Sequence, residues 1–240
     1  MTDSVLVHGA WGGSWGFRKL RPLLSELGHQ VFTPSLTGIG EREHLTGPDV
    51  SLSTHIDDVS NAIYYEDLTS IVLLGFSYGG MVVSGALDRI GDRVDHLVFL
   101  DAFVPEDGQS VTDLIGSGDV SSAPATDSER PWLVPPIPRQ LGSPAETAWA
   151  EQRRSGQPVA TFTEAVRLAT PIEDRDLTLT YVKAVSDPGE GPDSAFWRAA
   201  RHAESSDRWR YDEIETNHMI PLMEPQQLVA ILVDLADGAP

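Results

Sequence analysis

Short apolar runs alternate along this chain with stretches of helical spacing, and few folds accommodate that order. Residues 5–7 read as a first strand. Residues 14–27 follow as a helix, with Phe17, Leu20, Leu23, Leu24 and Leu27 at helical intervals and a stop at Gly28. A second strand over 30–33 ends at Pro34, and a loop rich in glycine and charge fills 37–48. Ser53 is placed to cap a helix reaching Glu66, with Ile56, Val59 and Ile63 turned inward. Residues 71–74 are apolar without interruption, as a strand covered on both faces should be. A helix over 78–90 and a strand over 94–100 follow. Strands and helices alternating at this spacing predict a parallel sheet with right-handed crossovers.

The alternation breaks near Pro105. From there to about residue 175 no strand is expected, and helical patterning is confined to 143–154 and 163–169. A strand over 177–185, a helix over 193–202, a strand over 209–214 and a helix over 225–235 then restore it. The expected class is α/β, with residues 1–104 and 176–240 forming a core around a mostly parallel six-stranded sheet. Residues 105–175 are expected to form an inserted helical cap, because Trp132, Leu133, Trp149, Phe162, Val166 and Leu168 give that stretch apolar side chains to bury. In an open α/β sheet the ligand site lies beyond the C-terminal strand edge, which such an insertion would roof. A length of 240 residues suits one domain of this kind.

The strand at 71–74 runs into Gly75-Phe76-Ser77-Tyr78-Gly79-Gly80, a G-x-S-x-G sequence followed at once by helix-forming Met81, Val82, Val83, Ala86 and Leu87. Between a strand and a helix this spacing makes a sharp turn. The small residues two positions either side of the serine let strand and helix approach, and the serine is lifted above the sheet edge. Ser77 is therefore the candidate nucleophile, and the helix start directs free amides at a developing oxyanion.

Of seven histidines, His218 lies in a loop after the last strand and just before the last helix, where the base of such an elbow belongs. The acid is expected after the strand at 177–185. Asp187 is the preferred candidate, with Glu190 and Asp193 in the same loop and Asp101 at the end of the fourth strand as rivals. A second oxyanion donor is expected from His8-Gly9-Ala10-Trp11-Gly12-Gly13, after the first strand. The backbone amides of Ala10 and Tyr78 are the candidates, and His8 reads as a structural hydrogen-bonder beneath that loop. Trp11, Phe76, Met219 and Trp132 are expected to contact an apolar or aromatic acyl group.

With 36 acidic against 17 basic residues, the net charge of −19 disfavours nucleic acid and anionic membranes as partners. No apolar run approaches the roughly 18 residues of a membrane span. No charged n-region and apolar h-region precede the first strand, so no secretory signal is expected. The absence of cysteine excludes disulfides and thiolate chemistry and fits a cytoplasmic location. Lys19 and Lys183 are the only lysines, a bias that reads as genome composition and not as function.

Residues 5–15 (VLVHGAWGGSW), the GFSYGG elbow, residues 100–110 (LDAFVPEDGQS) and residues 217–222 (NHMIPL) together resemble the plant-type methyl esterase and hydroxynitrile lyase family of α/β hydrolases, over nearly the whole chain except the expected cap. The resemblance implies an α/β-hydrolase fold with Ser77, His218 and Asp187 as triad, Ala10 and Tyr78 as oxyanion donors, and no metal or organic cofactor. The lyases of that family carry a lysine after the histidine and a threonine after the first-strand histidine; Met219 and Gly9 stand there instead, as in the esterase branch. The expected activity is hydrolysis of a small ester, lactone or thioester through an acyl-enzyme, by a protein that could form a homodimer. A lyase or cyclase tailoring a polyketide-like or lactone substrate at the same site, and a non-catalytic receptor for a small ligand, are the alternatives.

Overall fold

A computed structural model of the protein describes residues 2–116, 130–188 and 190–237. Six strands form one sheet: β1 (Asp3–Val7), β2 (Gln30–Phe32), β3 (Ile71–Phe76), β4 (Val94–Leu100), β7 (Thr178–Ala184) and β8 (Trp209–Ile214). Their order is β2-β1-β3-β4-β7-β8, and every pairing is parallel. The even and odd residues of β3 separate onto the two faces, as a two-residue period requires. Ile71 and Leu73 join one apolar cluster, Val72 and Leu74 the other. The first cluster packs under α2 (Leu52–Tyr65), α3 (Gly79–Ile90) and α7 (Ala195–Ser205); the second lies against α1 (Leu20–Glu26) and α9 (Pro225–Asp237). The sheet is thus covered on both sides, which is why its central strands are apolar throughout. No helix among the described residues is long and apolar enough to cross a membrane.

Several local expectations are corrected. The stretch 14–27 is not one helix: a 3₁₀ turn, Ser14–Phe17, precedes α1. The N-cap of α2 is Ser51, in a capping box with Thr54, and not Ser53. Ser53 instead gives its N–H and its hydroxyl to Glu164. That contact bears on the next correction, because of the expected helix over 163–169 only Thr163 is helical. A single turn, α6 (Ala160–Thr163), ends at Glu164, after which the chain runs extended. Val166 then donates to Gln109 O and accepts from Gly108 N–H, each at 2.9 Å. Val166 and Leu168 are buried against the core in this extended stretch.

Among the described residues, the remaining elements between β4 and β7 are α4 (Val111–Ile115), α5 (Pro144–Glu151), a 3₁₀ turn (Ile172–Asp174) and a two-stranded antiparallel ribbon of β5 (Leu133–Val134) and β6 (Gln157–Pro158), which the sequence pattern did not announce. Val134, Phe162, Val166, Leu168 and Ile172 belong to the same apolar cluster as α2 and α3. The short α8 (Ile220–Met223) links the loop after β8 to α9. At the C-terminal edge of the sheet, β3, β4 and β8 deliver Ser77, Asp101 and His218 within a few residues of their ends.

Candidate active site

Ser77 has φ 56°, in the left-handed region that side-chain-bearing residues avoid, and it joins β3 directly to α3. The turn is possible because the residues two positions to either side, Gly75 and Gly79, lack side chains. A Cβ on Gly75 would come within 2.7 Å of Gly79 O, and one on Gly79 within 2.6 Å of Val7 O. Hydrogen bonds then hold the strained residue. Ser77 N–H donates to Leu100 O at 3.1 Å, and Ser77 O accepts from Gly80 N–H at 3.1 Å and Phe103 N–H at 3.2 Å. The end of β4 therefore wraps the elbow. Among the described residues five non-glycine residues have positive φ, and three of them, Trp11, Ser77 and Asp101, converge at this one place.

The imidazole of His218 lies between Phe196, stacked at 5.2 Å and 6°, and Phe76 at 4.8 Å. Its Nδ1 is 2.6 Å from Asp101 Oδ2. A carboxylate there accepts a hydrogen bond from Nδ1–H and so leaves the Nε2 lone pair free to accept a proton. The carboxylate against the imidazole is thus Asp101 and not Asp187, the preferred candidate from the sequence. Asp187 Oδ2 accepts the backbone N–H of His218 at 3.2 Å and pairs with Arg139 at 3.0 Å. Asp101 is the better placed because it follows β4, next to the strand that carries the elbow, and Asp101 N–H is fastened to Val182 O at 2.7 Å. Of the other rivals, Asp193 is exposed. Glu190 belongs to a buried ionic cluster around Lys183, whose Nζ is 2.7 Å from Asp101 Oδ1 and 2.6 Å from Glu190 Oε2. Neither lysine is mere compositional residue: Lys19 donates to Leu222 O at 2.8 Å, in the turn that follows His218, and to Glu146 at 2.9 Å. No pattern in the sequence marks either role beyond the rarity of the residue.

Across the nucleophile from His218, the His8–Gly13 loop approaches so closely that a Cβ on Gly9 would lie 2.9 Å from Ser77 Cβ. The amides of Ala10 and Tyr78 donate to no acceptor among the described residues, as groups reserved for an oxyanion would. The loop is fixed from several sides. Trp11 N–H donates to Gln157 Oε1 at 3.0 Å, and Gln157 Nε2 donates to Thr161 Oγ1 at 2.7 Å. His8 is buried beneath, its Nδ1 2.9 Å from Gly9 O and its Nε2 accepting from Leu36 N–H at 3.1 Å. Burial pushes its pKa down and keeps it a neutral hydrogen-bonder. The ring of Tyr78 is held by His55, whose Nδ1 lies 2.9 Å from the phenol oxygen and whose Nε2 lies 2.8 Å from Thr37 O. Burial lowers the pKa of His55 to about 4, so it too is neutral.

A cavity of about 220 Å³ opens onto these groups, and Ser77, His218, Ala10 and Tyr78 all line it. Its walls are mainly apolar, with Trp11, Phe76, Phe103, Phe162, Phe196 and Met219 contributing. Trp11, Phe76 and Met219, named from the sequence as acyl contacts, line this cavity. Trp132 is not among the lining residues. It precedes the β5–β6 ribbon, its carbonyl accepting from Val159 N–H at 2.8 Å, and Phe162 supplies the aromatic wall in its place. Arg139 and Arg154 are the cations of this wall; Arg154 reaches to within 5.7 Å of the Trp11 ring.

A parallel sheet with a strained serine elbow at its C-terminal edge defines the α/β hydrolases as a class. The chain matches the model of the alpha/beta hydrolase family over residues 5–231, and it belongs to that family. It is 41% identical over 181 residues to the carbendazim hydrolyzing esterase of Nocardioides sp. (strain SG-4G), a match covering 70% of this chain and 74% of the relative. It is 26% identical to salicylic acid-binding protein 2 of Nicotiana tabacum, covering 97% of this chain and 96% of that one. Among solved structures, an extracellular α/β-hydrolase from a Paenibacillus species, described as sharing structural and functional homology with the tobacco protein, superposes with a TM-score of 0.84 at 25% identity over 98% of both chains. The expected fold and kinship are therefore established.

Proposed function

We propose that the chain is a serine esterase that cleaves small carboxylic esters through an acyl-enzyme on Ser77. The observation that carries this reading is the left-handed Ser77 lining one cavity with a His218 whose Nδ1 is already bound to a carboxylate. Kinship with esterases and methylesterases supports ester hydrolysis as the reaction class. In the first step Ser77 Oγ attacks the acyl carbon while His218 Nε2 takes its proton, and Asp101 stabilises the imidazolium that forms. The amides of Ala10 and Tyr78 bind the oxyanion, each worth about 2.7–4 kcal/mol in the barrier. His218 then protonates the departing alkoxide. Water, deprotonated by the same imidazole, attacks the acyl-enzyme and releases the acid. The substrate is a compact ester with an apolar or aromatic acyl group, given the ring-lined cavity of about 220 Å³. Residues 105–175 serve as its cap.

Fluorophosphonate labelling tests the nucleophile. The wild-type protein is expected to incorporate one equivalent of probe and to hydrolyse p-nitrophenyl esters, and Ser77→Ala is expected to do neither while keeping its circular dichroism spectrum. Equal labelling of both proteins would remove Ser77 from the mechanism.

A further inference from the structure

A lysine within β7, flanked by buried Val182 and Ala184, is an expensive residue to place. Lys183 is wholly buried, and so is Asp101. An unpaired ammonium in such surroundings would cost several kcal/mol, so the groups around it must repay its burial. Its three donors are fully used: Asp101 Oδ1 at 2.7 Å, Glu190 Oε2 at 2.6 Å and Ala184 O at 2.7 Å. The Trp197 ring lies 4.5 Å from Nζ. The two oxygens of Asp101 are consequently divided, Oδ1 to Lys183 and Oδ2 to His218. Glu190 is itself held, because its Oε1 accepts from Ser194, the residue that caps α7 through Trp197 N–H. The same helix carries Phe196, which stacks on His218.

We infer that Lys183, secured by Glu190, is a positioning residue that fixes the Asp101 carboxylate and sets how strongly the site draws a proton onto His218. The inference rests on the esterase reading for its catalytic meaning, though not for its electrostatics. At rest the line runs neutral His218, Asp101 anion, Lys183 cation, Glu190 anion. When His218 takes the serine proton, the charges alternate along the row and sum to zero, so the imidazolium is formed without leaving net charge in the interior. Lys183 opposes protonation of His218, and Glu190 favours it. Among the described residues, the other ionisable groups facing the cluster are Asp187, paired with Arg139, and the phenols of Tyr181 and Tyr211. Burial raises both phenols well above neutrality, so they stay uncharged.

Ring NMR of His218, assigned by the signal lost in His218→Asn, is to be titrated alongside the acid limb of kcat/KM for a p-nitrophenyl ester. Lys183→Met leaves two carboxylates facing His218 and is expected to move its midpoint up by about one pH unit or more. Glu190→Gln is expected to move it down by a smaller amount, and the double variant is expected to return close to wild type. The acid limb should follow the ring in each case, a coupling that a merely structural lysine would not produce. If Lys183→Met does not fold, Glu190→Gln and the double variant still decide the matter. An unmoved midpoint in Glu190→Gln overturns the inference. Shifted midpoints in a protein that hydrolyses no ester would sink the esterase reading and leave the charge row standing. Active variants with coincident midpoints would do the reverse.

Discussion

Around Ser77 the supporting contacts join uncharged groups, whereas around His218 they join ions. The nucleophile side is held by backbone bonds from Leu100 and Phe103, by the Gln157 amide, and by two buried histidines that burial keeps neutral. The base side is held by Asp101, Lys183 and Glu190, with Asp187 and Arg139 at its edge. Under the proposed mechanism, the contrast follows from what each side would do during ester attack. The oxyanion develops beside Ser77, and neutral dipoles fixed in place stabilise it without a counter-ion to rearrange. The base gains a full positive charge, and a buried cation needs a counter-charge already in position.

The sharpest break of the ionic side is Asp101→Asn. His218 would lose the acceptor that fixes its Nδ1–H tautomer, and kcat is expected to fall about 10⁴-fold. Lys183 keeps Glu190 as counter-ion, so the variant is expected to fold. Asp187→Asn retains a carbonyl acceptor for the His218 backbone N–H, and its kcat/KM is expected to fall far less than that of Asp101→Asn. Steady-state kinetics on a p-nitrophenyl ester compares the two directly. Inverted losses would restore the catalytic acid to Asp187.

These two aspartates also mark the limit of what the sequence discloses. The nucleophile side is legible because it is nearly contiguous: strand, Gly75 to Gly80 and helix adjoin, and close backbone approach demands small residues at fixed spacing. The sheet was equally legible, since burial on both faces leaves β3 no polar position. The ionic side is assembled from residues far apart in the chain. Asp101 and His218 are separated by 117 positions, and Lys183 and Asp101 by 82. Which aspartate meets the imidazole depends on neighbour order in the sheet, and no local pattern encodes that. The segment between β4 and β7 failed for a related reason. Residues 163–169 have helical spacing, but their backbone pairs with Gly108 and Gln109, and Glu164 is claimed by Ser53.

The neutral side is expected to fail in acid. His55 has a folded pKa near 4 against about 6.5 unfolded. Between those values the unfolded chain binds a proton that the folded one refuses, so stability falls as pH drops from about 6.5 to about 4 and levels off below. The loss from His55 is about 3 kcal/mol, and His8, shifted the same way, adds to it. Urea unfolding at several pH values, for wild type and His55→Gln, isolates the contribution because the carboxylates cancel between the two. The wild-type advantage is expected to shrink by about 3 kcal/mol between pH 7 and pH 4. Parallel curves would mean that His55 takes up its proton without cost.

Close approach on that side is tested most finely by Gly9→Ala. The new methyl would lie 2.9 Å from Ser77 Cβ and 3.3 Å from both Ser77 Oγ and Phe76 O, too near for rigid neighbours. Neither neighbour is the far end of a flexible side chain, so the strain falls on the His8–Gly13 loop, which moves away and carries the Ala10 amide with it. Displacement of a catalytic donor by about 1 Å costs on the order of 10²-fold in rate. The expected loss is therefore in kcat, with KM little changed, because the apolar walls that bind the acyl group stay where they are. The acid limb of the pH profile should not move, since no charge near His218 is altered. A variant slowed through a shifted acid limb would show that the two sides of the site are coupled electrostatically, and that their separation into a neutral and an ionic half is wrong.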